Sequence, residues 1–277
     1  MTIEKHLGRL RDLVEGELRQ RLPRPGEAPP KLIEAMSYSL LAGGKRLRPL
    51  LVILACEAAG GEAARALPAA CAAEMVHTYS LIHDDLPAMD NDDWRRGQPT
   101  CHRQFESDAL AILAGDALLT LAFQVLAEGY PPATAAVTCT ELAAGAGAAG
   151  MVGGQVLDLA AEGRIPGVAP PHALEELEGI HRRKTGALFR ASLRMGVAAA
   201  QGERPGGPDP GLMGTMDTYG RAFGLAFQIT DDLLDVEGSR EKAGKQVGKD
   251  ARLGKLTYPG LLGVEESRRR AERLCRE

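Results

Sequence analysis

Two clusters of aspartate interrupt otherwise apolar stretches of the chain. The first is Asp84-Asp85-Leu86-Pro87-Ala88-Met89-Asp90, followed by Asn91-Asp92-Asp93-Trp94-Arg95-Arg96, and the second is Asp231-Asp232-Leu233-Leu234-Asp235. Tyr79-Ser80-Leu81-Ile82 leads into the first and Leu225-Ala226-Phe227 into the second. Carboxylates in apolar helices are costly to bury unless they are paired or bound to a cation. Asp231 and Asp235 stand at i, i+4, so one helix face presents both, close enough to share a hard cation. Asp84 and Asp90 are six apart, which nearly opposes them on a straight helix. Pro87 ends or kinks that helix, so the chain can bring Asp90 back beside Asp84. An EF-hand is excluded, because Asp90-Asn91-Asp92-Asp93 lacks the glycine and closing glutamate of that loop.

Carboxylates that hold magnesium need an anion to hold it against, usually phosphate. Gly43-Gly44-Lys45-Arg46-Leu47-Arg48-Pro49 puts three cations behind two glycines at a helix junction, where backbone can come close to a diphosphate. It is not a P-loop, since G-x-x-x-x-G-K-[ST] does not fit. Arg95, Arg96, Lys184, Lys245, Lys249 and Lys255 lie near glycines or acids. Singly each reads as a solvated charge; beside two acidic clusters they read as diphosphate clamps. Gly145-Ala146-Gly147-Ala148-Ala149-Gly150 matches the dinucleotide fingerprint literally. Its flanks are helical and Pro170 stands where the ribose-binding acid belongs, so close helix packing is the better account.

The elements that must position these residues are helical. Of 277 residues, 44% are hydrophobic and only 4% aromatic, and the bulk is Ala, Leu, Glu and Arg, strong helix formers that argue against an all-β fold. Ile3, Leu7, Leu10, Val14 and Leu18 keep the i, i+3/i+4 rule, and Leu32, Ile33, Met36, Leu40 and Leu41 repeat it after the Pro-rich Leu22–Pro30. Further helices are expected near Leu47–Gly60, Leu67–Asp85, Phe105–Gly129, Ala133–Gly150, His172–Gln201, Leu212–Val236 and from Leu256 onward. Pro131-Pro132, Gly163–Pro171 and Gly202–Gly211 punctuate them, and no stretch alternates as a strand. The expectation is one all-α domain over 1–277 with about ten helices. A formal net charge of −4 argues against nucleic acid as partner. The five cysteines form no C-x-x-C pair, so a reducing compartment is expected. Met1–Arg11 has no apolar core of a signal peptide, and the longest apolar run, Leu50–Cys56, is too short for a bilayer. A cytoplasmic protein with no membrane partner is the resulting expectation.

His77-Thr78-Tyr79-Ser80-Leu81-Ile82-His83-Asp84-Asp85-Leu86-Pro87-Ala88-Met89-Asp90, with Arg95-Arg96-Gly97-Gln98-Pro99-Thr100, resembles the first aspartate-rich region of the trans-isoprenyl diphosphate synthases, above all the bacterial short-chain farnesyl branch. The likeness extends through Gly43–Pro49, Gly115-Asp116, Gly153-Gly154-Gln155 with Asp158, Lys184-Thr185-Gly186, Phe227–Asp235, Gly248-Lys249-Asp250 and Gly254–Pro259, from about residue 30 to 262. It implies mostly antiparallel helices around a central cavity (the isoprenoid synthase fold), a homodimer, and head-to-tail condensation of an allylic diphosphate with isopentenyl diphosphate. Three magnesium ions (Mg2+), replaceable by manganese (Mn2+), are implied, held by Asp84, Asp85, Asp90, Asp231 and Asp235 with Asp232 beside them. Gly44, Lys45, Arg48, His77 and Arg96 would hold isopentenyl diphosphate, and Arg95, Lys184, Lys245 and Lys255 the allylic diphosphate, with Gln155 also at the substrate. Gln228, Thr185 and the Lys184 carbonyl would offer oxygens to the allylic cation. His83 is better read as structural than as a base. A bulky aromatic at Tyr79, beside the small Ser80 and with the insertion Leu86-Pro87, goes in the family with a fifteen-carbon product. A geranylgeranyl diphosphate synthase is the alternative; a terpene cyclase or a non-catalytic partner subunit is further off. Family members normally continue with a further helix and a basic stretch where this sequence reaches Glu277, which bears on closure over the diphosphates.

Overall fold

The computed structural model describes residues 2–168, 172–237 and 256–277. Lys245, Lys249 and Lys255 lie outside the described residues. The architecture is all-α: α1 (Ile3–Arg21), α2 (Pro30–Leu40), α3 (Leu47–Ala58), α4 (Ala63–Asp84), α5 (Cys101–Gln104), α6 (Asp108–Gly129), α7 (Pro132–Ala146), α8 (Met151–Ala161), α9 (Leu174–His181), α10 (Ala187–Gln201), α11 (Pro210–Glu237), α12 (Tyr258–Leu262) and α13 (Val264–Leu274). The chain divides into two compact units, Met1–Thr140 with Arg194–Asp209, and Glu141–Leu193 with Pro210–Glu277.

In the first unit, Thr2 caps α1, its Oγ1 accepting from the Lys5 amide at 3.4 Å, and Leu10, Val14 and Leu18 bury the stripe that the spacing predicts. Helix α4 is buried along most of its length by small residues, Ala66, Ala69, Ala70, Cys71, Ala72 and Ala73. It packs against α3 and α6. Small side chains let helix axes come close, and α6 answers with Ala111, Ala114, Gly115 and Leu118 on its buried face. In the second unit, Leu177, Ile229, Leu233 and Tyr258 form a core. Phe189 meets Phe223 and Phe227 edge-on at 5.0 and 5.3 Å.

Several expectations are corrected. Helix α7 stops at Ala146 and α8 is a separate helix, because the glycine-rich stretch between them forms a turn; an added Cβ at Gly145 would lie 2.6 Å from that of Ala191, the close packing expected of this motif. The expected single helix over His172–Gln201 is α9, a π-helical turn at Arg182–Gly186 and α10. A two-stranded ribbon pairs Trp94–Arg95 with Gln98–Pro99 around Arg96 and Gly97, whose φ values of 53° and 80° are those of a type I′ turn. Two-residue strands are too short to show alternation. Among the described residues two stretches are long and apolar enough to cross a membrane by length and composition, Asp108–Gly129 (mean hydropathy 2.0) and Pro132–Ala161 (1.3). An unbroken run misses them because single polar residues interrupt them, and α6 nevertheless buries one face against α4.

Candidate active site

Helix α4 ends at Asp84, where the chain doubles back. The Asp90 amide donates to the Asp84 carbonyl at 2.8 Å and the Asp92 amide to the Asp85 carbonyl at 3.1 Å, so the Pro87 loop returns Asp90 to Asp84. Asp85 is buried, and the ribbon delivers Arg95 to it: Arg95 Nε donates to both carboxylate oxygens, at 2.7 and 2.9 Å. Burial pushes the Asp85 carboxyl up to about 6, against the pull of Arg95.

The next residue, Arg96, points the other way and donates from Nη1 to the Gly43 carbonyl at 2.5 Å. An added Cβ at Gly44 would stand 3.0 Å from Arg96 Cζ, so the glycine-rich turn and the ribbon tip share one place. Arg46, one of the three cations behind the two glycines, is a strut. Its φ of 50° at the start of α3 turns it inward, where Nε reaches Glu15 at 2.6 Å, Nη1 reaches Glu74 at 2.5 Å and Nη2 the Leu40 carbonyl at 2.8 Å. Gly44 and Lys45 are exposed and Arg48 is half-buried. Burial, joined by Arg48, Arg96, Arg95 and Arg46, holds His77 well below the ordinary histidine range. Burial and the neighbouring Arg96 lower Arg48 to about 10 despite the attraction of Glu74. This unit therefore gathers the charges of Arg48 and Arg96 beside His77 and the Gly44 turn, over a buried carboxylate, Glu74. On the same helix, Tyr79 is 7% exposed and meets His83 edge-on at 5.7 Å. The His83 ring fills the space beside Gly115, where an added Cβ would lie 2.2 Å from Nε2, and that nitrogen is 3.0 Å from the Ile112 carbonyl oxygen. Ser80 Oγ donates back to the His77 carbonyl.

In the second unit, Lys184 and Thr185 lie in the π-helical turn. Lys184 Nζ donates to Asp158 of α8 at 2.6 Å. Gly154 permits this approach, since a Cβ there would lie 2.1 Å from the Lys184 amide nitrogen. Gln155, next along α8, is half-buried. Thr185 Oγ1 donates to Gln228 Oε1 at 3.1 Å and Gln228 Nε2 donates to Asp232 Oδ1 at 3.0 Å. The Tyr258 amide donates to Asp232 Oδ2 at 3.0 Å. Asp232 and Asp235 are buried and Asp231 is half-buried on α11.

Residues 29–277 match the polyprenyl synthetase family. The chain belongs to that family. Among its curated relatives is farnesyl diphosphate synthase of Geobacillus stearothermophilus, 47% identical over 95% of this chain and 86% of that protein. The large subunit 1 of the heterodimeric chloroplast geranylgeranyl pyrophosphate synthase of Arabidopsis thaliana is 49% identical over 91% of this chain and 67% of its own. Among solved structures, a geranyltransferase from Helicobacter pylori, complexed with magnesium and isoprenyl diphosphate, superposes with a TM-score of 0.83 at 32% identity, covering 99% of this chain and 88% of that one.

In this polyprenyl synthetase, sequence reasoning missed the carboxylates behind the cations. Glu74 is the lone acid between Glu62 and Asp84 in an alanine-rich run, a signal that could have found it. Asp158, which holds Lys184, and Tyr258, whose backbone holds Asp232, sit within recognisable motifs but carry no chemical signature of these roles.

Proposed function

We propose that this polyprenyl synthetase condenses isopentenyl diphosphate head-to-tail with dimethylallyl and geranyl diphosphates, giving farnesyl diphosphate. Lys45, Arg48, His77 and Arg96 hold the diphosphate of isopentenyl diphosphate, and Arg95 and Lys184, with Lys245 and Lys255, hold that of the allylic substrate. Among the described residues no three His, Cys, Asp or Glu side chains converge as a ready-made metal cage. Asp84 and Asp90, and Asp231 and Asp235, are all-oxygen donors that suit magnesium whose remaining ligands come from a diphosphate. Three such ions are the expectation, and when bound they neutralise charge on the departing diphosphate. Thr185 and Gln228 aim oxygens at the allylic cation, and the released diphosphate takes the final proton, the sequence offering no obvious side-chain base. The protein works as a cytoplasmic homodimer in this reading.

Tyr79 carries the fifteen-carbon assignment. It lies five residues before Asp84, more than one helical turn deeper, and is braced by His83, so a growing apolar chain meets a rigid ring. The geranylgeranyl reading is favoured by relatives such as the Arabidopsis subunit. Chromatography of dephosphorylated products decides between them. Farnesol from the wild type and twenty-carbon or longer alcohols from Tyr79→Ala are expected. A twenty-carbon product from the wild type selects the geranylgeranyl reading, and identical chain lengths in both place the floor elsewhere. Hydrocarbon release from farnesyl diphosphate alone would mark a cyclase, and no turnover of the purified chain a partner subunit.

A further inference from the structure

The side-chain amide of Gln228 has two chemically opposite ends, an acceptor oxygen and a donor NH2, nearly equal in shape. Something must decide which way they face. Asp232, one helical turn along α11, is 3% exposed and accepts on both oxygens, from the Tyr258 amide and from Gln228 Nε2, each at 3.0 Å. A carboxylate has no hydrogen to give, so the end of Gln228 that meets it must be the NH2. Oε1 is thereby turned toward Thr185, whose hydroxyl donates to it at 3.1 Å. The anchor beyond Asp232 is itself fixed: the Tyr258 ring is fully buried and stacks on His181 at 5.7 Å and 20°.

We infer that Asp232 is a positioning residue that sets the polarity of the Gln228 amide, so that an oxygen and not an N–H faces the side of Thr185 and Lys184. The inference rests on the prenyltransferase reading, in which an allylic cation is stabilised on that side. An amide oxygen attracts such a cation and an NH2 repels it, so reversing one fixed dipole changes the barrier while leaving shape and packing alone. The sequence alone groups Asp232 with the magnesium ligands; the network gives its oxygens another task.

Asp232→Asn tests this, since the new amide must offer its oxygen to the Tyr258 N–H. Its NH2 then meets Gln228, which reverses and turns its own NH2 toward Thr185. Turnover is expected to fall about a hundredfold, the effect of losing one preorganised dipole. Magnesium-dependent binding of inorganic pyrophosphate, followed by calorimetry, should stay within about twofold of wild type. Adding Gln228→Glu to Asp232→Asn restores an oxygen toward Thr185 and should recover at least about tenfold of the lost turnover. Unchanged turnover in Asp232→Asn, no recovery in the double variant, or a loss of about tenfold or more in magnesium-pyrophosphate affinity overturns the inference. Failure of both variants to fold, judged by circular dichroism, assigns the carboxylate to the core and overturns it too. A wild-type protein that turns over no allylic substrate breaks the underlying reading instead, before any variant is compared.

Discussion

Asp85 at the end of α4 is clamped by a guanidinium, whereas Asp232 in the last turns of α11 is held by an amide and a backbone N–H. The same difference runs through each unit. Around the first acidic cluster the polar groups are charges: Arg46, Arg48, Arg95 and Arg96 about His77, with Glu74 and Glu15 as internal counter-ions. Around the second, Thr185 and Gln228 set neutral oxygens beside Asp232, and Lys184 is tied to Asp158. Charge attracts and orients an anion but stabilises a departing and an arriving diphosphate alike. Fixed neutral dipoles act where positive charge appears during reaction. On the proposed reading the contrast is a division of labour: the first unit's arginines hold diphosphate, and the second unit's neutral oxygens meet the allylic cation.

The sharpest break comes from the aspartates common to both. Asp84→Ala and Asp231→Ala should each cut kcat by about three powers of ten, the several kcal/mol contributed by a metal site, while circular dichroism remains helical. Near-normal turnover in either removes that cluster from the chemistry. Next in size, Arg48→Ala should raise KM for isopentenyl diphosphate about 10- to 100-fold, from the roughly 1.5–3 kcal/mol of a charge-assisted hydrogen bond. An equal rise for the allylic substrate would erase the assignment of Arg48 to isopentenyl diphosphate. Gly154→Ala puts a methyl 2.1 Å from the Lys184 amide nitrogen and should destabilise the protein by about 1–3 kcal/mol, read as a lower melting temperature, with its KM effect confined to the allylic substrate. The smallest effect concerns His77. Its folded pKa lies below the ordinary 6.5, so the folded state binds fewer protons than the unfolded one. That group costs nothing at pH well above 6.5, and stability falls as pH drops through 6.5 toward its folded value. Denaturant midpoints should therefore fall more in wild type than in His77→Gln between about pH 7.5 and 5.5; parallel curves would mean His77 titrates normally.

Helical class was legible in the spacing of Leu10, Val14 and Leu18, because a stripe of large apolar residues has a period. Helix α8 was not, since Gly150–Gly154 has too few large side chains to show one. The return of Asp90 to Asp84 followed from Pro87, whose ring constrains local backbone. Which arginine of Arg46 and Arg48 faces inward did not, because it depends on a single left-handed residue at Arg46. Glu74 and Asp158 were hidden for another reason: a counter-ion is defined by what packs on it, over 28 and 26 residues of chain.

The π-helical turn at Arg182–Gly186 behaves as one surplus residue absorbed into a helix and not looped out. One residue rotates everything downstream by about 100° around the axis. The wider turn takes up that rotation, so deleting one residue there would restore a regular helix with the buried Leu188, Phe189 and Ser192 stripe still facing its core. A single deletion could thus erase the turn and spare the fold behind it; what it would change is local, the placing of Lys184 and Thr185 within the turn itself.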